Sequence, residues 1–189
     1  MTDYKNYVSR IRTNNFEELS TKYKVIEGDN IYEFMNFLFT KDSFKLDLRE
    51  KTKVGCFAAK HSKDIKNVIK NLSDTLVTRK DINFMLSNLH SETMLWDSAR
   101  MSSIWLLKPS DLAKITHSDT TDYWEEYRRL FGSGGKHYYS APIFNQENTL
   151  ALIEYSGSGG WTHGSGGIIL FEKMNGEWKY LKEFPLWLS

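Results

Sequence analysis

The sequence predicts an α+β domain in which N-terminal helices pack on one face of a C-terminal antiparallel sheet of four or more strands. Apolar residues recur at helical spacing through the first two-thirds of the chain and at a spacing of two in the last quarter. Short connections between the C-terminal strands favour an antiparallel meander. A chain of 189 residues accommodates one such domain and buries enough surface to fold without a metal or a disulfide, which its single cysteine could not form. The expected organisation is an arm over residues 1–28, packed or mobile, followed by one domain over 29–189 with a helical part (29–131) and a sheet part (137–189).

The first helix is expected over 31–39, where Ile31, Phe34, Met35, Leu38 and Phe39 share a face and Asp29 or Asn30 supplies a cap. Residues 53–59 are short and apolar, a strand or a buried turn, with Cys56 expected as a buried, unreactive side chain. A second helix follows from Asp64 to Leu76 with Ile65, Val68, Ile69, Leu72 and Leu76 in register. A third starts after Thr78, whose hydroxyl can accept from the amide near Asp81, and buries Ile82, Met85, Leu86 and Leu89. Trp96 is expected in the core, and residues 103–107 form a strand stopped by Lys108-Pro109, after which Ser110 starts a short helical turn. Helix 121–131 carries Asp122, Glu125 and Glu126 early and Arg128 and Arg129 late, the order that a helix dipole prefers, and Gly132 supplies its left-handed stop.

Four strands then follow over Tyr138–Phe144, Leu150–Ser156, Gly167–Lys173 and Trp178–Phe184. Asn175-Gly176 is the pair that a type I′ hairpin turn requires. In the last strand, strict alternation places Trp178, Tyr180 and Phe184 on one face and Lys179 and Glu183 on the other.

Charge excludes little. The net charge of +1 creates no global field toward nucleic acid, although residues 41–80 hold eleven basic and five acidic side chains while 81–127 hold three and eight. Lys60, Lys63, Lys66 and Lys70 are spaced to line one side of a helix, expected as a solvated face, and nucleic acid is not an expected partner. No run of apolar residues is long enough for a membrane span, and the N-terminus lacks the pattern of a secretory signal, so the chain is expected either in the cytoplasm or exported after loss of a signal segment.

The candidate site lies in the window Ser156–Gly167, which holds six of the twelve glycines together with Trp161 and His163. It is expected as a loop longer than a hairpin needs. Its glycines would either approach a ligand and turn amides inward as an anion nest, or form bulges and a wide turn with Trp161 folded back on the sheet. Trp161, His163, Ser158 and Ser165, with His137 at the other side of the predicted sheet, are the candidate contact residues for a protein or small-molecule partner. Named motifs fail. The window has no G-x-G-x-x-G, Gly132-Ser133-Gly134-Gly135-Lys136 lacks the first glycine and the hydroxyl of a phosphate loop, and the five histidines have no metal-ligand spacing. No metal or cofactor is expected. A serine–histidine pair drawn from Ser158 or Ser165 with His163 or His137, and Asp97 as third member, is the hydrolase alternative.

A wider pattern runs from Thr78 to the C-terminus: Asp81-Ile82 with Met85, Trp96-Asp97-Ser98, Ser140-Ala141-Pro142-Ile143-Phe144, Ala151-Leu152-Ile153, Gly164-Ser165-Gly166, Gly176-Glu177-Trp178-Lys179 and Trp187-Leu188-Ser189. In order and spacing it resembles a family of uncharacterised bacterial proteins, many of them made with secretion or lipoprotein signals. The resemblance implies a fold and no activity. Relatives often carry a Cys-Gly pair twice in the glycine window, where this chain has Gly159-Gly160 and His163-Gly164, so a loop-closing disulfide is absent, which fits a reducing compartment or divergence. The leading functional expectation is a non-enzymatic binding or interaction module that uses residues 157–167. The alternatives are a small hydrolase with His163 or His137 as base, and an inhibitor or immunity-type protein whose acidic stretch 81–127 suits a basic target.

Overall fold

The computed structural model describes residues 16–40, 52–101, 104–115 and 122–189. Residues 1–15 of the expected arm, the 41–51 part of the basic stretch, Ser103 and His117 lie outside the described residues. The fold is α+β, with helices in the N-terminal part and a mixed, largely antiparallel sheet towards the C-terminus. A helical segment over residues 16–22 (α1) leads to α2 (Asp29–Thr40), α3 (Lys63–Lys70), α4 (Arg79–Ser87), the single turn α5 (Pro109–Leu112) and α6 (Tyr123–Phe131). The strands are β1 (Lys53–Gly55), β2 (Phe57–Ala58), β3 (Met94–Leu95), β4 (Trp105–Leu107), β5 (Lys136–Tyr139), β6 (Ile143–Phe144), β7 (Leu150–Gly160), β8 (His163–Met174) and β9 (Glu177–Leu188).

The main sheet runs β4-β1-β5-β7-β8-β9, with β6 also paired to β7. The β5-to-β9 portion is antiparallel throughout, whereas β1 lies parallel to both β4 and β5. Strands from the expected helical part therefore complete the sheet. β2 and β3 form a separate antiparallel pair, against which Val25 makes a parallel bridge to Leu95.

The helices divide between both faces of the sheet rather than sharing one. In β7 and β8 the odd positions Ala151, Ile153, Ile169 and Phe171 pack with Phe34, Met35 and Leu38 of α2. The even positions Leu150, Leu152, Ile168 and Leu170 pack with Ile65 and Ile69 of α3 and Ile82 and Met85 of α4. Side chains alternate across a strand, so an uninterrupted apolar run such as Ile168-Ile169-Leu170-Phe171 must be covered on both sides. α6 builds a third cluster, in which Trp124, Tyr127 and Phe131 meet Leu107 and Ile115 beside β4.

Local chemistry sets the helix limits. Thr78 and Asp81 close a reciprocal capping box on α4, each backbone amide donating to the other's side chain at 3.1 Å. Ser62 caps α3 through the amides of Asp64 and Ile65. α3 stops at Lys70, short of the expected Leu76. Asn71 donates its side-chain amide to the Asn67 carbonyl and Ser73 accepts from the Thr75 amide, so polar side chains offer the backbone partners outside the helix. Val77 is buried in place of Leu76, which is exposed. The expected strand Tyr138–Phe144 is split into β5 and β6, because Ser140 turns its hydroxyl to the Glu154 amide and Pro142 has no amide to donate. Asn175 (φ 54°) and Gly176 (φ 82°) make the tight turn between β8 and β9. Trp96 is fully buried, and burial pushes the Cys56 thiol up to about 12, which leaves it protonated.

His61 ties the start of α3 to the loop before β6. Its Nε2–H donates to the Ala141 carbonyl at 2.8 Å, and its Nδ1 accepts the His90 amide at 2.7 Å. Desolvation lowers its pKa from 6.5 to about 4, so the folded protein holds the ring neutral while the unfolded chain takes up a proton near pH 6.5. The His61 contribution to stability is thus fully present above pH 6.5 and is lost as pH falls toward 4, by up to about 3 kcal/mol. Urea melts at pH 7.5, 6, 5 and 4.5 should show this loss; in His61→Gln stability should be lower at pH 7.5 and its pH slope shallower, with a residue of slope from His90 and His137, which burial also lowers. A slope equal to that of wild type would assign the acid sensitivity elsewhere.

Candidate functional site

The glycine window is not a loop. β7 continues through Ser158 to Gly160, β8 begins at His163, and Trp161-Thr162 alone form the turn between them. Its backbone is engaged in ladders: Ser156, Gly157 and Ser158 pair with Gly166, Ser165 and Gly164 on one side and with β5 on the other. A run of free amides is therefore not left to form an anion nest. None of the six glycines has a positive φ, so conformational freedom is not what the window requires of them. Space is. An added Cβ at Gly157 would stand 2.6 Å from His137 Nδ1, and one at Gly166 would stand 2.2 Å from Trp187 Nε1. Both rings belong to the residue directly across the ladder, so each lies over a glycine in the neighbouring strand.

Those missing side chains leave a hollow. On the α2 face of the sheet, one cross-strand row reads Tyr139, Tyr155, Gly167, Pro185 and the next reads His137, Gly157, Ser165, Leu188. Tyr139, Tyr155, His137, Gly157, Ser165 and Leu188 of these rows, with Leu38 of α2, line a cavity of about 1030 Å³. His137, Ser158, His163 and Ser165 all line it, together with Tyr180, Glu183 and Ile169. The fold thus brings together four of the five candidate residues. Trp161 stands apart from them at the tip of the hairpin, 68% exposed. It is not folded back on the sheet. Its indole N–H donates to Asp122 Oδ2 at 2.6 Å, while Asp122 Oδ1 accepts the Trp124 and Glu125 amides and so caps α6. The indole hydrogen bond, and after it the capping amides, holds the Asp122 carboxyl below its ordinary value.

The lining residues that were not sequence candidates include Tyr139, Tyr155, Tyr180 and Glu183. Glu183 was expected on the face away from Trp178 and Tyr180. A register shift opposite Leu170 and Phe171 inserts Leu181 as an extra residue, so Tyr180 pairs with Phe171, Lys182 with Leu170 and Glu183 with Ile169. Glu183 thereby joins Trp178 and Tyr180 on the α2 face, and Phe184 moves to the opposite face against the α3–α4 cluster. The Tyr155 hydroxyl donates to Glu183 Oε1 across β8. Burial first, then the hydrogen bond to Glu183, pushes that phenol up to about 12. His137 is held below its ordinary value by desolvation and secondarily by the charge of Lys53, which keeps the ring neutral.

Among the described residues no serine hydroxyl is hydrogen bonded to either cavity histidine; His163 Nδ1 lies 3.3 Å from Thr162 Oγ1. Asp97 does not line the cavity, and its Oδ1 accepts the Ala99 amide. No group of three metal-ligating side chains occurs among the described residues, and no described helix is long and apolar enough to cross a membrane. No protein-family model matches the chain, and no curated protein or solved structure matches it either.

If the glycines serve to admit rings, their substitution costs should follow the available space. Gly157→Ala should destabilise by about 1–3 kcal/mol, because the His137 ring must leave its place. Gly159→Ala, whose Cβ would find its nearest neighbour at 3.8 Å, should cost less than about 1 kcal/mol. Equilibrium urea melts of the two variants compare them directly; equal costs would mean that the ring contact does not govern these positions.

Proposed function

We propose that this chain is a non-enzymatic binding protein whose ligand occupies the cavity walled by the β7–β8 hairpin. The observation that carries this reading is convergence: His137, Ser158, His163 and Ser165, from three different strands, line one concavity of about 1030 Å³. That volume is at the upper end of small-molecule sites, and apolar walls with a few converging polar groups are what such sites use to hold and orient a ligand. Tyr139, Tyr155, Leu38 and Ile169 supply the walls, and the neutral His137, Ser165 and Glu183 supply donors and acceptors. The anchored hairpin supports the same reading. Trp161, held to the start of α6, fixes the tip, so the cavity wall is preorganised and little ordering cost falls on binding.

A fragment library screened by NMR tests the proposal. Ligands should shift resonances of His137, Tyr155 and Ser165 together, and Ser165→Phe, which fills the floor of the cavity, should abolish those shifts at unchanged fold. Hits confined to exposed positions such as Trp161 and Trp187, insensitive to Ser165→Phe, would refute the cavity as the binding site.

A further inference from the structure

We infer that the cavity takes an organic cation, with an ammonium group beside Glu183 and a hydrocarbon body against Leu38, Ile169 and Leu188. The inference rests on the cavity being the binding site and adds the chemical class of the ligand. Among the described residues that line the cavity, Glu183 is the sole Asp, Glu, Lys or Arg. Its placement there is built in, since the bulge at Leu181 turns it from the outer face of β9 to the inner one. Oε1 accepts the Tyr155 hydroxyl, which fixes the carboxylate, and Oε2 has no hydrogen-bond partner among the described residues. A carboxylate oriented by a phenol and left with one open oxygen is an acceptor for an N–H or a counter-charge for a quaternary nitrogen.

The surrounding groups favour the same sign of charge. Tyr139, Tyr155 and Tyr180 bring three aromatic rings to the lining, and ring faces attract cations by their quadrupole, most strongly where water is thin. His137 adds no positive charge, because burial keeps its ring neutral. Lys182, the nearest cation along β9, pairs with Leu170 and points to the opposite face, where its ammonium lies over the Phe184 ring. An anionic ligand would face Glu183, a like-charge contact that costs affinity, and among the described residues Lys53, whose charge reaches His137, donates to the Ser133 carbonyl and does not line the cavity. Leu38, Ile169 and Leu188 give the carbon part of the ligand an apolar wall.

Chemical-shift titrations of the intact chain with choline, with its uncharged isostere 3,3-dimethyl-1-butanol and with the anion 3,3-dimethylbutanoate test the inference. Choline should shift His137, Tyr155 and Ser165 and bind at least about tenfold more tightly than the alcohol. Glu183→Gln keeps an acceptor for the Tyr155 hydroxyl and should remove that tenfold preference, while Lys182→Gln on the opposite face should leave choline binding unchanged. Equal or tighter binding of the alcohol or the carboxylate at the same residues overturns the cation inference and leaves the cavity as a binding site. Choline binding that survives Glu183→Gln unweakened overturns it too. Silence of all three probes overturns the ammonium inference, and the fragment screen with Ser165→Phe then decides the cavity reading by itself.

Discussion

The pairing of β7 with β8 is the constraint on which the rest of the molecule depends. From Leu150 opposite Glu172 to Gly160 opposite His163, one long hairpin spans the whole sheet. Its first half is apolar on both faces, so it obliges α2 to cover one side and α3 with α4 to cover the other. Its second half exchanges side chains for glycines without leaving the ladder. Rigidity at the tip therefore comes from the same hydrogen bonds that organise the core, and the cavity is a gap in the side-chain layer rather than in the backbone.

That arrangement explains how a concave site can stand on a sheet without a covering loop among the described residues. A sheet face becomes hollow where large side chains on flanking strands border small ones on central strands. Here Tyr139 and His137 stand on β5, Tyr180, Glu183 and Leu188 on β9, and Gly157, Ser165 and Gly167 between them. The desolvation of the hollow also sets its charge. It keeps His137 neutral and Tyr155 protonated, so the hydrogen bond to Glu183 has a fixed direction, with the phenol as donor.

The sequence pattern made some of this legible and concealed the rest for identifiable reasons. The stripe Phe34, Met35, Leu38, the Thr78–Asp81 box, the Asp122-to-Gly132 helix and the Asn175-Gly176 turn are local signals, and each is where its spacing places it. The division of the helices between two faces was encoded in the unbroken runs Leu150–Ile153 and Ile168–Phe171, which alternation alone does not distinguish from a one-sided strand with a tolerant outer face. β1 and β4 are three residues each and enter the sheet in parallel, and contacts so distant in sequence leave no periodic trace. Of the site, His137, Ser158, His163 and Ser165 were visible as unusual residues in or near the glycine window. Trp161 was visible too, yet its partner Asp122 lies 39 residues away, so its role at the hairpin tip was not. Glu183 was hidden by a single inserted residue, since a bulge inverts the face of every side chain up to the next one.

The two bulges of β9 show how the edge strand shapes the cavity. The first, at Leu181, admits Glu183 to the inner face; the second lies between the Gly167–Pro185 and Gly166–Trp187 pairs and inserts Leu186. Without the second bulge, strict alternation after Glu183 would put Trp187 on the inner face and Leu188 outside. With it, Trp187 crosses to the outer face and lies over Gly166, while Leu188 turns inward beside Ser165. The indole is thus kept off the inner face, and the largely exposed Leu188 stands at the edge of the hollow instead. Bulges also increase local twist and spoil the regular spacing of an edge, and Pro185 between them removes one amide, so the same irregularities that shape the cavity make β9 a poor template for edge-to-edge association. Strand irregularity, glycine placement and ring size act together on one face, and the cavity is their joint product.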